Sequence, residues 1–250
     1  MLDVVAERLF LDAFSDTVRS FAVWTTAITV ADFRSTIAAV VDFPDLLAIP
    51  EDGEYAAGGP FGPAVPVRLT RHGRVVQFTR EAVLRDDIPT FGQLQAALGV
   101  AAAGVENDVV YDLLLSNPTM ADGFKVFSTQ HANLMPAKAL DATSLAAACT
   151  ALATNSRHGR PAFLLVGTAD GPTARNLVTI QTPPNATEAS GVLQVGQDER
   201  IPDDGRWYVT CAPTQCPTLL VARLRDAGAR VAIARWLGRR RRRERVPRPQ

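Results

Sequence analysis

Three histidines, three cysteines and several tight groups of carboxylates are the residues of this 250-residue chain that could do chemistry. His72, His131 and His158 could ligate a metal, but no HxH, HExxH or HxxxH spacing brings them together. They read as exposed or structural. Cys149, Cys211 and Cys216 are odd in number and lack CxxC spacing, which argues against a disulfide framework or a zinc site. Cys149 stands in an alanine-rich stretch and reads as a small core residue. Cys211 and Cys216 flank a turn, could meet across two strands, and read as thiols. Asp86 with Asp87, Asp203 with Asp204, and Glu51, Asp52 and Glu54 could serve general acid–base work, which needs a pair held in one pocket. Each group adjoins a turn or a helix start, where capping and solvation account for it. The stretch GTADG, residues 167–171, follows an apolar run and loosely resembles a phosphate loop. It lacks the GK[ST] ending and the GxGxxG spacing, so it reads as strand, helix cap and turn. No GxSxG occurs. No catalytic, cofactor-binding or metal-binding residue is assigned, and no cofactor is expected.

The arginine run is the strongest charge feature. Arg239, Arg240, Arg241, Arg242 and Arg243 are consecutive, a pattern that suits phosphate contacts. Residues 221–250 hold 11 arginines against Asp226 and Glu244, while the rest of the chain holds 15 basic and 24 acidic groups. The body is therefore acidic, and only the tail would be drawn to nucleic acid. An N-terminus with acids where a signal peptide needs a basic flank, no run near the roughly 20 apolar residues of a membrane span, and the cysteine usage suggest a reduced intracellular setting with no membrane partner.

The elements that must position these residues follow from periodicity. Residues 1–23 read as helical, with Val4, Val5, Leu9, Leu11 and Phe14 as an imperfect apolar face. Short strands are expected between Ala27 and Ile49. The Gly- and Pro-rich stretch EDGEYAAGGPFGPAVP reads as a loop, and VRLTRHGRVVQFTREAV as a hairpin turning at RHG. Phe91, Leu94, Leu98, Ala102, Val105, Val109 and Leu113 recur at helical steps. They predict a helix over residues 88–116, a rod of roughly 40 Å, started near Asp86, Asp87 and Pro89 and stopped by Asn117-Pro118. A helix capped by Asp141 or Thr143 is expected to run through Leu152. Then come the strand RPAFLLVG, a helix in TADGPTARNLVTI, the loop TPPNATEASG, the strand VLQVG, and two strands, RWYVTCAP and PTLLVARL, joined by TQC. The class is α+β.

The order EDGEY, GRVVQFTREAVLRDD, the long helix GQLQAALGVAAAGVENDVVYDLLLSNP, then DGFKVFSTQHANL, resembles the major capsid proteins of tailed phages. RPAFLLVGTADGPTARNLV and RWYVTCAPTQCPTLLVARL are similar to the strand–helix unit and strand pair that follow in that family. The likeness runs from about Phe33 to about Leu224 and is nearest the Mu-like and prohead-protease-fusion branch. It implies the Hong Kong 97-type capsid fold. Residues 1–49 would be the N-terminal arm and first strands, and 50–80 a β-hairpin arm, the E-loop, that reaches over a neighbouring subunit. Residues 81–139 would be the spine helix and peripheral domain, 140–205 an axial domain, and 206–224 returning peripheral strands. Residues 225–250 would be a disordered arginine-rich tail.

The implied function is a structural, non-enzymatic shell subunit. It would assemble into hexamers and pentamers around DNA, with a scaffold or prohead protease as helper. It would reside in the virion after assembly in bacterial cytoplasm. Glu51, Glu54, Arg68, Arg71, Arg74 and Arg80 on the arm are then the expected subunit contacts. After Leu224 the likeness stops, and the composition resembles out-of-frame translation of a GC-rich gene. This leaves the peripheral domain incomplete and raises a truncated or frameshifted copy. A nanocompartment shell of the same fold, a nucleic-acid-binding protein using the arginine tail, and an α/β enzyme are the other classes.

Overall fold

The computed structural model describes residues 2–34, 36–39, 64–70, 72–73, 88–120, 122–156, 159–181, 193–225 and 231–236. The chain opens with α1, Leu2–Asp16, and a 3₁₀ turn, Ser20–Val23. Strands β1, Thr26–Val30, β2, Thr36–Ala39, and β3, Ala64–Val67, follow. Helix α2 spans Ile88–Ser116, 29 residues, over the range its periodicity predicts. Helix α3 is Ala142–Asn155, β4 Pro161–Val166, α4 Gly171–Gln181, and β5 Gln194–Gln197. Strands β6, Trp207–Cys211, β7, Leu219–Leu224, and β8, Val231–Trp236, complete the described order. The far strand of the hairpin expected at RHG, the helix-start acids Asp86 and Asp87, and the TPPNATEASG loop lie outside the described residues.

The strands form three sheets, ordered β1-β7-β8, β2-β3 and β5-β4-β6. Strand β7 is central to one and β4 to another, and each is buried on both faces. Phe163 and Leu165 of β4 join Leu219 and Val221 of β7 in one core, with Phe21, Trp24, Val110, Tyr111, Leu114 and Ile201. The alternate residues face away, as the period of two requires. Leu164 and Val166 pack with Leu145 and Ala174 of α3 and α4. Leu220 and Ala222 pack with Val30, Val67 and Leu69. The second half of α2 thus fills the space where the two sheets share a core.

Three expectations change here. RWYVTCAP and PTLLVARL are both strands, but they are not partners: β6 pairs antiparallel with β4, and β7 pairs parallel with β1. The turn between them hands the chain from one sheet to the other. The boundary drawn at residues 205/206 therefore cuts β6 from the sheet it edges, and Cys211 and Cys216 do not face each other across a strand pair. None of the three cysteines forms a disulfide, and burial pushes the Cys149 thiol up. Second, six residues of the segment expected as disordered tail form β8, whose register on β7 sets Val221 opposite Ile233 and Ala222 opposite Ala232. Third, the buried meridian of α2 lies one residue from the predicted one. Gly99, Ala103, Glu106, Asn107, Val110, Tyr111 and Leu114 are buried, whereas Leu94, Leu98, Ala102, Val105, Val109 and Leu113 are half-buried. The true stripe contains a glycine and two polar residues, which an apolar count passes over. In α1, likewise, Leu9 and Leu11 are exposed while Phe14 is buried.

The ends of α2 and α3 follow local chemistry. Asn117 takes φ 46, the left-handed turn that closes a helix and that asparagine tolerates. Asp141 caps α3 by accepting from the Ser144 N–H at 2.7 Å, while Ser144 Oγ accepts from the Asp141 N–H at 3.0 Å. The Ser144 backbone donor holds the Asp141 carboxyl below its ordinary value.

Candidate functional site

The strand-to-helix turn after β4 is the place where a phosphate would sit if GTADG bound one. It is filled by the chain itself. Asp203 Oδ1 accepts from the Ala169 N–H at 2.9 Å, and the Gln197 side chain lies where a Cβ on Gly171 would come within 2.4 Å of its Oε1. Arg175 Nη1 donates to the same Gln197 Oε1 at 2.7 Å. An internal carboxylate on the helix-entry amide occupies the position an anion would need. Asp203 is thus a positioning group for this turn, and its neighbour Asp204 pairs with Arg206 at 2.8 Å.

A buried polar network links the N-terminal segment to α2 and β7. Glu106, 1% exposed in the middle of α2, presents Oε2 to Arg223 Nη2 at 2.9 Å and to Arg19 Nη1 at 3.6 Å. The Arg19 guanidinium also lies 4.7 Å from the Phe14 ring centroid, a cation–π contact. The next residue along, Asn107, donates from Nδ2 to the Val18 carbonyl at 3.2 Å. Ser20 Oγ has a single hydrogen, which it gives to the Asp198 carboxylate. It then accepts from the Tyr111 hydroxyl at 3.0 Å. Burial pushes the Tyr111 phenol up. Arg200 completes the set, reaching Asp108 at 2.5 Å and Asp198 at 3.3 Å. Each of these side chains has a partner, though Arg223 Nε is buried without one, and the chemistry of the network is fastening: it fixes the N-terminal segment, α2 and the loop after β5 in one arrangement.

A second polar cluster sits in DGFKVFSTQHANL. Asn117 accepts from the Phe127 N–H at 2.7 Å and donates to the Phe127 carbonyl at 3.1 Å, tying this loop to the end of α2. The Val126 carbonyl receives Asn133 Nδ2 at 2.8 Å and lies 3.0 Å from His131 Nδ1. His131 Nε2 lies 2.8 Å from Asp122 Oδ2. The ring of Phe124 meets that of His131 edge-on. Next to this loop runs a groove of about 710 Å³, walled by Leu114, Phe127, Leu152 and Tyr208 and bordered by His131 and Cys211. Leu134 and Met135 at its edge are exposed.

Of the subunit contacts expected on the arm, Arg68 is described and is exposed just after β3. Glu51, Glu54, Arg71, Arg74 and Arg80 lie outside the described residues, as do Arg239, Arg240, Arg241, Arg242 and Arg243. His72 is exposed, and His158 lies outside the described residues. Among the described residues no three His, Cys, Asp or Glu side chains cluster as a metal site would require, and no helix is long and apolar enough to cross a membrane. The polar network around Glu106 was not foreseen. Its one signal was the polar trio Glu106-Asn107-Asp108 inside an otherwise apolar helix.

The model of the phage capsid protein family matches residues 62–245, and the chain belongs to that family. The match begins before β3 and runs past β8, so it continues beyond Leu224, where the likeness read from sequence ends. Among solved structures, the chain is similar to a subunit of the procapsid of bacteriophage JBD30, at 18% identity and a TM-score of 0.41. That alignment covers 56% of this chain and 48% of the procapsid chain, about half of its length. No curated protein matches.

Proposed function

We propose that the chain is the major shell subunit of a tailed-phage or prophage head, with the Hong Kong 97-type arrangement. The observation that carries this reading is the family match from residue 62 to residue 245. In this reading residues 50–80 form the arm that reaches a neighbouring subunit, and α2 is the spine of the peripheral domain. The β5-β4-β6 sheet with α3 and α4 is the axial domain, extended to include β6. The subunit acts by self-association in closed rings, hexamers and pentamers, through contacts that join different patches on successive copies. Its role is structural, without turnover. Glu51, Glu54, Arg68, Arg71, Arg74 and Arg80 are the contacts to other copies, and a scaffold or prohead protease assists assembly. The arginines Arg239 to Arg243 supply salt-sensitive contacts to packaged DNA. The subunit resides in the virion after assembly in bacterial cytoplasm.

The family match through residue 245 and the pairing of β8 with β7 favour reading residues 225–245 as part of the subunit rather than as an out-of-frame tail. Recoding the gene after Leu224 tests this: a better family continuation in another frame would restore the frameshift reading. The assembly claim is tested by sizing and negative-stain microscopy of the purified chain, alone and co-expressed with any protease or scaffold genes found beside its own. Closed shells or capsomer rings are expected, and Arg68→Glu should lower their yield. A chain that stays monomeric under every one of these conditions overturns the claim.

A further inference from the structure

His131 is buried beside the groove, its side chain 6% exposed, and Asp122 is 16% exposed. Its two ring nitrogens face two acceptors: Nε2 the Asp122 carboxylate at 2.8 Å, and Nδ1 the Val126 carbonyl at 3.0 Å. A neutral imidazole carries one N–H and one bare lone pair. In this geometry that lone pair would point at an oxygen, whichever tautomer formed. Both contacts are satisfied together only when both nitrogens carry hydrogen. The Val126 carbonyl is also shared with Asn133 Nδ2, and Asn133 Oδ1 accepts from the Ser128 N–H at 3.0 Å. The histidine therefore sits where both strands of the loop are tied together. Two turn residues of that loop, Gly123 and Ala132, take the left-handed φ values 85 and 53. The alanine conformation is strained and relies on these bonds to hold it.

We propose that His131 is a proton-operated clamp: doubly protonated, it bridges Asp122 and the Val126 carbonyl and closes the 122–134 loop, and on losing one proton it loosens that loop and the groove wall it forms. The proposal is independent of the shell assignment, since every group in it belongs to one chain. Among the described residues, the loop itself brings the Asp122 carboxylate and, through its backbone, Lys125 to the ring, and Lys138, Asp204 and Arg206 line the groove on the other elements. Among these side chains Asp122 is the one that hydrogen-bonds the ring. Burial alone would lower the His131 pKa, but the Asp122 hydrogen bond, the Val126 carbonyl and the Asp122 charge outweigh it and hold it above the ordinary histidine value. The sign follows: the folded loop prefers the charged ring, so the clamp is complete below the ordinary histidine value and is lost as pH rises through the elevated one.

The test uses the full chain and mass spectrometry, which serves monomer and particle alike. Hydrogen exchange at the imidazole Cε1 gives the His131 titration midpoint, and amide exchange gives the protection of the 122–134 peptide across the same pH range. The expected midpoint lies above about 6.5. Amide protection should fall by about tenfold through that midpoint, the loss of one charge-assisted hydrogen bond. Asp122→Asn should lower the midpoint, and His131→Gln should make the protection independent of pH. A midpoint at or below about 6.5, or equal protection on both sides of it, overturns the proposal. The two wild-type measurements decide the matter even if a variant fails to fold.

Discussion

The first half of α2 meets α1 along a seam of small residues, while the second half lies under the joint core of two sheets. In the first half Gly99 is the closest point: a Cβ there would stand 2.5 Å from the Phe10 carbonyl oxygen and 3.0 Å from Ala13 Cβ. Val100, beside it, is 51% exposed. In the second half Val110, Tyr111 and Leu114 are buried with Trp24, Leu165 and Leu219, and Glu106 and Asn107 carry the polar ties to Arg19, Arg223 and Val18. One continuous helix thus has a backbone-contact half and a core half. Helical period cannot tell these apart, because the same 3.6-residue repeat can be stabilised by close backbone approach or by side-chain burial.

Substitutions along the helix should separate the halves. The largest effect is expected from Leu114→Ala, which opens a cavity in the shared core and should cost about 3–4 kcal/mol in denaturant unfolding. A cost below about 1 kcal/mol would mean the core collapses around the hole or that the second half is looser than drawn. Glu106→Gln removes the charge between Arg19 and Arg223 while keeping the shape. Because both arginines are partly exposed, the expected loss is about 2–3 kcal/mol, at the low end for a broken buried pair. Loss of protection in the peptide around Arg19 should accompany it in amide exchange. Gly99→Ala gains about 1 kcal/mol of helix propensity but forces α1 away from its seat, for a net loss of about 1–2 kcal/mol. Protease cleavage within α1, with residues 103–116 still protected, is the signature to look for. Val100→Ala should change stability by less than about 0.5 kcal/mol, since the side chain is half out and alanine favours helix. If Val100→Ala cost as much as Leu114→Ala, the contrast between the halves would fail.

The parts of the fold that were legible in the sequence are those set by local rules. The bounds of α2 follow from its apolar repeat and the Asn117-Pro118 stop, and the start of α3 from Asp141. The apolar run PAFLLV becomes a strand buried on both faces, as such runs do in covered sheets. What stayed hidden depends on partners far away in the chain. Nothing local says that β6 joins β4 while β7 joins β1, since the two strands lie within one short stretch and differ only in which sheet accepts them. The Glu106 cluster was hidden for the same reason: its partners are Arg19 and Arg223, one on each side in sequence and both distant. The His131 clamp is more local, since Asp122 and His131 are nine apart, but a side chain's two ring contacts are matters of geometry that spacing does not reveal. The arginine run drew the eye in the sequence, yet β8 just before it bears on the fold, because it completes the sheet on β7.

The parallel pairing of β1 with β7 has a consequence for how the chain reaches this state. Thr26 lies opposite Leu220 and Val30 opposite Leu224, so the first strand waits for a partner nearly two hundred positions later. Pairings that distant are slow to form, because the intervening chain must be brought to closure before the contact gives anything back. On the ribosome, Phe21 and Trp24 would emerge long before Leu219 and Val221, with which they share a core. The nascent chain must therefore carry an unpaired strand and uncovered aromatic rings until its last third is made, and this interval is when a molecular chaperone would have the most to protect.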